Sequence, residues 1–90
     1  MHKVQHAAAD HRFTIDADGE TGHVEYERAD GVLTITHTIV PAAIGGRGIA
    51  GDLVQAALDH ARKDGLKVVP QCSYADDWMR KHPEYEDLRA

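Results

Sequence analysis

Alternating apolar and polar positions predict two antiparallel strands near the start of the chain. Residues 12–16 and 22–28 both show a period of two, which is typical of strands with one buried face. Residues 17–20 between them have the composition of a turn. Asp30 and Gly31 then predict a two-residue hairpin turn of the primed type, because both tolerate positive φ.

The third predicted strand covers residues 32–40 and stops at Pro41. Simple alternation assigns its side chains to two faces, of which one packs on the core. On this assignment the imidazole of His37 lies among apolar side chains. One predicted face carries Leu33, Ile35, His37 and Ile39, and the other carries Thr34, Thr36, Thr38 and Val40.

A helical period replaces the alternation after Gly48. Apolar residues recur three and four positions apart over residues 49–61, which predicts a helix that packs on the sheet. Gly65 is expected to end this helix. Residues 66–72 then predict a short strand that runs parallel to the third strand, because a helix connects the two.

A second helix is predicted near the C-terminus. Ser73 is expected to cap it and residues 74–81 to form it, since Ser is a favoured N-cap residue. His82-Pro83 interrupts the pattern, because a residue before proline disfavours helical geometry. Residues 84–88 are expected to form one further turn.

The predicted fold is of the α+β class and close to α/β. It consists of an antiparallel meander of three strands, a helix, a parallel fourth strand and one or two C-terminal helices. Residues 1–10 show no clear period and are expected to be a disordered tail. Residues 11–90 are therefore predicted to form the single domain.

A glycine-rich turn lies between the third strand and the first helix. Gly45, Gly46 and Gly48 allow the backbone to adopt positive φ and to approach a ligand closely. The first N–H groups of the helix have no partner within it, and they lie at the positive end of its dipole. The turn is therefore predicted to bind an anion.

Two known nucleotide-binding motifs do not account for this turn. Residues 46–51 match the G-x-G-x-x-G pattern of dinucleotide sites. The next strand, however, ends in Pro70-Gln71-Cys72 and not in the Asp or Glu that would hold a ribose hydroxyl. A P-loop is excluded because no Gly-Lys-Ser/Thr sequence follows the glycines.

Composition and charge restrict the partners. The 90 residues include 42% hydrophobic and 28% charged residues, which is ordinary for a globular domain. The formal net charge of −5 argues against nucleic acid, since phosphate backbones require a concentrated positive surface. One cysteine excludes an internal disulfide and favours a reducing compartment. No metal site is predicted.

No apolar run in the sequence approaches the length of a membrane span, and the first twenty residues lack the apolar core of a signal peptide. We therefore expect a cytoplasmic protein without a membrane partner. A monomer or weak dimer is expected. A chain of this size buries only about 60–65% of its unfolded surface, so its stability is expected to be modest.

Four short motifs follow one another along most of the chain: His37-Thr38, Gly46-x-Gly48-Ile49-Ala50, Pro70-x-Cys72-Ser73-Tyr74 and His82-Pro83-Glu84-Tyr85. Their order resembles that of the minimal, single-domain branch of the GNAT (general-control-related N-acetyltransferase) superfamily. The resemblance implies a truncated GNAT fold that lacks the last two strands of the superfamily. One departure is Gly45, which stands where the superfamily has Gln or Arg.

The same resemblance implies that acetyl-CoA or CoA binds at the glycine-rich turn and between the third and fourth strands. A backbone N–H of Ile39 or Val40 would then polarise the thioester carbonyl. Because CoA is polyanionic, Arg47, Arg80 and Lys81 are candidate partners, although a solvated surface is the competing interpretation. The residues implied in CoA binding are Thr38, Ile39, Val40, Gly45, Gly46, Arg47, Gly48, Ile49, Ala50, Gly51, Ser73, Arg80 and Lys81.

Three residues are candidates for catalysis by the same resemblance. Cys72 precedes a predicted helix N-terminus, which would stabilise a thiolate, but free cysteine is also a common core residue. His37 is either catalytic or a core imidazole, and the sequence favours neither. Tyr74 is a candidate proton donor to the departing CoA thiolate, and packing is its alternative role.

The resemblance implies an N-acetyltransferase that uses acetyl-CoA and an amine acceptor, either a protein lysine or a small molecule. Glu25 and Glu27 would attract a lysine-like cation. Direct attack by the amine is the leading route, and transfer through acetyl-Cys72 is its rival. A non-catalytic module that binds CoA or acyl-CoA is the alternative function, because Gly45 and the missing strands both depart from a typical acetyltransferase.

Overall fold

The computed structural model describes residues 2–90 as one five-stranded mixed sheet with two helices. The strands lie side by side in their order along the chain. They are β1 (Gln5–Ala7), β2 (Arg12–Ala17), β3 (Glu20–Ala29), β4 (Val32–Ile39) and β5 (Lys67–Pro70). The helices are α1 (Ile49–Lys63) and α2 (Ser73–Lys81), and 3-10 segments cover Ala8–Asp10, Ala42–Ile44 and Pro83–Leu88.

Strand pairing confirms the predicted α+β class. Strands β1 to β4 pair antiparallel, and β5 pairs parallel to β4 after the connection through α1. The β3–β4 turn has Asp30 at φ 53° and Gly31 at φ 78°. Both values are those of a primed turn, whose twist matches that of the flanking strands.

Residues 5–10 form structure, whereas the sequence predicts a disordered tail there. His6 lies opposite Phe13 in the β1–β2 pair, and the two rings stack with their centroids 4.1 Å apart. Its Nε2 is 2.6 Å from the hydroxyl oxygen of Tyr26. These contacts join residues that are distant in sequence, so a local period does not reveal them. Met1, also part of the predicted tail, lies outside the described residues.

Both helices lie on one face of the sheet and enclose the core. The predicted apolar stripe of α1 is buried against β2, β3, β4 and β5. None of the helices in residues 2–90 has the length and hydrophobicity needed to cross a bilayer. The fully buried large side chains of the core are Ile15, Val24, Leu33, Ile35, Ile44, Ile49, Leu53, Val54, Leu58, Val68 and Met79.

The other surface of the sheet, here called the open face, carries side chains that are partly or fully exposed. Ile39 is 48% exposed and Val69 39% exposed, so neither is covered by another element of residues 2–90. The molecule therefore has two layers, with helices on one side only. The open face consists of Arg12, Thr14, His23, Glu25, Glu27, Thr34, His37, Ile39 and Val69.

A β-bulge in β4 reverses the predicted faces of its second half. Tyr26 lies opposite Ile35, but Glu25 lies opposite His37, so Thr36 is the extra residue. The Thr36 hydroxyl donates to the Glu25 carbonyl at 3.2 Å. Beyond the bulge Thr38 joins the helix face, and the residues on either side of it join the open face. The predicted faces are therefore wrong after position 36.

Helix α1 ends as predicted, because Gly65 adopts φ 69° just beyond it and Leu66 N–H donates to the Ala61 carbonyl at 2.8 Å. Helix α2 begins differently from the prediction. Cys72 is its N-cap and Ser73 its first helical residue. The reason is that Cys72 is still extended, with its N–H bound to the sheet.

We predict that Gly22→Val lowers the free energy of unfolding. A Cβ at Gly22 would lie 3.1 Å from Ile49 Cγ2 and 3.4 Å from Val40 Cγ2, so the larger side chain overpacks the contact between β3 and α1. Such changes cost roughly 1–3 kcal/mol, and chemical denaturation measures the loss.

Gly45→Ala is the matched control for Gly22→Val. Gly45 has φ −68° and ψ 159°, which alanine adopts freely, and its nearest neighbour would be the Ala42 carbonyl oxygen at 3.4 Å. Its stability should stay within about 0.5 kcal/mol of the parent. Equal stability of Gly22→Val and the parent would contradict the close packing of β3 on α1.

Candidate functional site

The glycine-rich turn has the backbone conformation that close ligand approach requires at two of its three glycines. Gly46 has φ 75° and Gly48 has φ 78°. Gly45 is extended, so the prediction of positive φ fails there. No heavy atom lies within 4 Å of a Cβ built on Gly46 or Gly48. The turn is therefore open on the side where a side chain would project.

The N–H groups of residues 46–51 donate to no acceptor within residues 2–90. The first hydrogen bond of α1 runs from Asp52 N–H to the Gly48 carbonyl at 3.1 Å. Ile44 and Ile49, both buried, hold the turn against the core. Fixed N–H groups at the positive end of a 15-residue helix are suited to an anionic group such as a phosphate.

The cations predicted to help bind an anion already have carboxylate partners. Arg47 pairs with Asp18 of the β2–β3 turn. Arg80 and Lys81 each pair with an aspartate one turn earlier in α2, at 3.2 and 2.9 Å. All three cationic side chains are exposed, so these pairs contribute little stability and exchange readily. The backbone N–H groups are thus the most fixed donors at the turn.

Strands β4 and β5 separate where β5 ends. Pro70 is the last residue of β5, opposite Ile35, and not Cys72 as predicted. The Gln71 N–H turns back to the Val69 carbonyl at 3.0 Å, and the Cys72 N–H donates to the Ile35 carbonyl at 3.0 Å. Beyond that hydrogen bond, β4 and the segment that follows β5 no longer pair. We call the space between residues 36–40 and residues 71–74 the β4–β5 cleft.

Cys72 and Thr38 face each other across this cleft. Cys72 Sγ lies 3.5 Å from Thr38 Oγ1. Burial raises the pKa of the Cys72 thiol, but hydrogen bonding from the Thr38 hydroxyl and from the N–H groups of Ala75, Tyr74 and Thr38 outweighs it. The pKa of this thiol is therefore below its ordinary value, and a thiolate is stabilised at the start of α2.

The backbone of β4 directs alternate N–H groups into the cleft. The Thr38 N–H faces Cys72, and successive residues of a strand point their N–H groups to opposite edges. The N–H of Val40 therefore points towards the cleft as well. Ile39, by contrast, pairs with His23 of β3. Of the two groups predicted to polarise a thioester, only Val40 is in position, and Thr38 joins it.

His37 is exposed, so the interpretation as a core imidazole is wrong. The bulge turns its side chain onto the open face, directly opposite Glu25 on β3. Residue 38 of the same strand points into the cleft. His37 and Thr38 therefore bring an imidazole and a hydroxyl to opposite sides of one strand at the same level.

Tyr74 lies over the first turn of α1. Its hydroxyl oxygen is 3.5 Å, and Trp78 Nε1 3.2 Å, from the position that a Cβ on Gly51 would occupy. Burial raises the pKa of the Tyr74 hydroxyl, with Asp77 and Asp52 adding to the effect against Lys81. The phenol therefore keeps its proton at neutral pH. This location places a proton donor beside the glycine-rich turn.

Sequence reasoning missed the group that surrounds Glu25 on the open face. His23 Nε2 is 2.8 Å from Glu25 Oε2, and Arg12 Nη2 is 3.7 Å from the same oxygen. Glu27 has different surroundings, because it lies opposite Thr34, where β4 and β5 still pair. The one available signal was that residues 23 and 25 share a face of a strand.

No group of three or more metal-ligating side chains is arranged to hold an ion among residues 2–90. The candidate site consists of a turn with free N–H groups, a cleft with a thiol and two N–H groups, and a phenol beside the turn. Of the sequence-predicted residues, residues 45–51 form the turn, Thr38, Val40, Cys72 and Ser73 lie at the cleft, and Tyr74 lies beside the turn. His37 and Ile39 lie on the open face instead. Arg80 and Lys81 lie further along α2, on its exposed surface.

These features define a member of the GCN5-related N-acetyltransferase family, whose sequence pattern matches residues 12–88. The chain belongs to that family, and the predicted resemblance is confirmed. Two relatives are Protein NATD1 of Homo sapiens and of Gallus gallus. Each is 32% identical over 84 residues that cover 90% of this chain, and these residues cover 74% and 76% of the respective relatives.

The fold is also similar to that of a GCN5-like protein from Staphylococcus aureus whose solution structure was determined by NMR. The two share 27% sequence identity, with a TM-score of 0.77 over 98% of this chain and 87% of the other. The likeness extends over nearly the whole chain, including β1. The truncated GNAT architecture predicted from the motifs is therefore confirmed.

We predict that Thr38→Val raises the pKa of the Cys72 thiol, because the substitution removes the hydroxyl that stabilises the thiolate. Alkylation by iodoacetamide across a range of pH measures this change, since only the thiolate reacts. The variant should react more slowly than the parent at neutral pH. Thr34→Val, on the open face, is the control and should react like the parent.

Proposed function

We propose that this protein is an N-acetyltransferase that transfers an acetyl group from acetyl-CoA to a primary amine. The observation that carries the proposal is the β4–β5 cleft, where two backbone N–H groups and a thiol of lowered pKa lie near a turn whose N–H groups are suited to an anion. Family membership supports the same reaction class. The cleft supplies what a thioester needs, and the turn supplies what a pyrophosphate needs.

The two parts of the site fit the two ends of acetyl-CoA. The N–H groups of residues 46–51 would bind the pyrophosphate, as helix N-termini do in other phosphate sites. The pantetheine arm would lie along the unpaired edge of β4, where it could hydrogen-bond to free backbone groups. The thioester carbonyl would then accept from the N–H of Thr38 or Val40. These donors stabilise the charge that develops on the carbonyl oxygen.

Direct transfer is the route we favour. A neutral amine nitrogen attacks the carbonyl carbon of the thioester, the new C–N bond forms and the C–S bond breaks. The amine gives up one proton, for which the imidazole of His37 on the open face is the candidate acceptor, and the CoA thiolate takes one from Tyr74. The products are an amide and free CoA. Solvent re-equilibrates the two protein groups.

Transfer through the thiol is the second route. In it the Cys72 thiolate attacks the same carbon, CoA leaves, and the amine then attacks acetyl-Cys72. The lowered pKa of this thiol favours the route specifically, because a thiolate is the reactive form. Its position across from Thr38 also leaves the thiol beside the proposed carbonyl site.

A CoA-binding module without turnover is a second candidate function. Two observations favour it. The cations that were predicted to bind CoA are paired with carboxylates. In addition, no element of residues 2–90 covers the open face, where the acceptor would bind. Both features concern affinity and enclosure. Neither removes a group that the transfer chemistry uses, so we favour the enzyme.

We predict that an amine accelerates the release of free thiol from acetyl-CoA. A panel of aliphatic amines, aromatic amines and lysine peptides, followed by thiol detection, measures this. In the direct route Cys72→Ala keeps most of the rate, and intact-mass analysis finds no adduct on the parent. An acetyl adduct of about 42 Da that Cys72→Ala lacks would establish the covalent route. CoA binding without acceleration by any amine would leave only the binding module.

We predict that Gly48→Val abolishes detectable CoA binding in isothermal titration calorimetry. The substitution projects a side chain into the open side of the turn, and it strains a residue at φ 78°. Several charge-assisted hydrogen bonds of roughly 1.5–3 kcal/mol each would be lost. Arg47→Ala should weaken binding much less, because it removes one exposed, already paired charge.

Gly65→Val is the matched control for the strain in Gly48→Val. Gly65 has φ 69°, and no heavy atom lies within 4 Å of the position that its Cβ would occupy, so it carries the same kind of strain at the opposite end of α1. Both variants should lose about 1–2 kcal/mol of stability, but only Gly48→Val should lose CoA. Parent-like CoA affinity in folded Gly48→Val would show that the turn is only a helix cap.

A further inference from the structure

The open face and the glycine-rich turn lie on opposite sides of β4. Helices α1 and α2, and with them the anion-binding turn, occupy one side of the sheet. The cleft beyond Ile35 and Pro70 opens the sheet between the two sides. A donor held by the turn and the cleft therefore leaves the open face as the free approach to its acyl group.

On the open face one row of side chains crosses the sheet at the level of the cleft. Arg12 lies opposite Glu25, and Glu25 lies opposite His37. The next row brings His23 opposite Ile39. Only the bulge in β4 produces this alignment, because it turns position 37 onto the open face beside Glu25.

Glu25 is held in place from two sides. His23 Nε2 lies 2.8 Å and Arg12 Nη2 3.7 Å from its Oε2. The hydrogen bond from His23, with the charges of His23, Arg12 and His37, lowers the pKa of Glu25 against the opposing effect of burial. Glu25 is therefore a fixed carboxylate at neutral pH. A carboxylate in that state is a good anchor for a cation.

We propose that the Glu25 carboxylate, positioned by His23, is the anchor that binds the protonated form of a primary aliphatic amine on the open face beside His37. The proposal rests on the proposed acetyl transfer for its meaning, but it concerns binding alone. An ammonium group suits this site because its charge complements Glu25 and because the face is unobstructed. A neutral aromatic amine has no charge for Glu25 to attract, so the site selects aliphatic amines and lysine side chains.

Binding is tested first, without any need for turnover. The ¹⁵N-labelled protein is titrated with n-butylammonium chloride and, separately, with aniline, which is neutral at pH 7. The expected result is that n-butylammonium shifts the amide signals around Glu25 and His37 and that Glu25→Gln weakens its binding by roughly tenfold. Aniline should bind the parent and Glu25→Gln alike.

Glu27→Gln is the matched control. It removes an equal charge from the same strand and the same face, but opposite Thr34, away from the cleft. It should titrate like the parent. The proposal is overturned if n-butylammonium causes no shifts around Glu25, or if Glu25→Gln and Glu27→Gln bind it equally well.

The positioning role of His23 has its own readout. His23→Gln can still donate an N–H to Glu25, whereas His23→Leu cannot. The glutamine variant should therefore keep most of the affinity for n-butylammonium that the leucine variant loses. Equal affinities in the two variants, with both folded by thermal melting, would remove His23 from the proposal.

Kinetics then link the anchor to transfer, in which the bound ammonium first loses one proton to water and the neutral amine then attacks the thioester. With an accepted aliphatic amine, Glu25→Gln should raise its KM by roughly tenfold and leave kcat and the KM for acetyl-CoA near the parent values. A fall in kcat with an unchanged KM for the amine would overturn the anchoring role. If no amine is acetylated by the parent, the proposed function fails, while the titration with n-butylammonium still decides the binding inference.

Discussion

One extra residue in β4 is the constraint on which the arrangement of the site depends. Without the bulge the strand would alternate regularly from Ile35 onwards, and Thr38 would point away from the helices. With it, Thr38 faces Cys72 and its neighbour His37 faces Glu25. The bulge is stabilised locally, because the Thr36 hydroxyl binds the Glu25 carbonyl, so the irregularity leaves little hydrogen bonding unsatisfied.

The end of β5 supplies the second half of the geometry. Pro70 has no N–H with which to continue a ladder, and the Gln71 N–H turns back to the Val69 carbonyl. Cys72 makes a last bond to β4 before α2 begins. The chain thus changes from strand to helix within two residues at the point where β4 continues alone. This places a thiol and a helix N-terminus beside an unpaired strand edge.

Features set by neighbouring residues could be predicted from the sequence, and features set by distant ones could not. The Asp30-Gly31 turn, the stripe of α1 and the end of α1 at Gly65 are local, and all were predicted correctly. The bulge was missed because threonine, valine and isoleucine fit either face of a strand equally well. The contact of His6 with Phe13 and that of Arg12 with Glu25 depend on strand register, which a period does not reveal.

In residues 2–90 both helices lie on one side of the sheet, and this arrangement has a chemical consequence. The covered side buries its apolar residues and fixes the turn that is suited to phosphate. The uncovered side carries the exposed Ile39 and Val69 and, beside them, the carboxylate, imidazole and guanidinium groups around Glu25. Because the cleft joins the two sides at Thr38, a two-layer domain can hold an anionic donor on one side and meet a cationic acceptor on the other. The strand between them needs only one irregular residue to contribute groups to both.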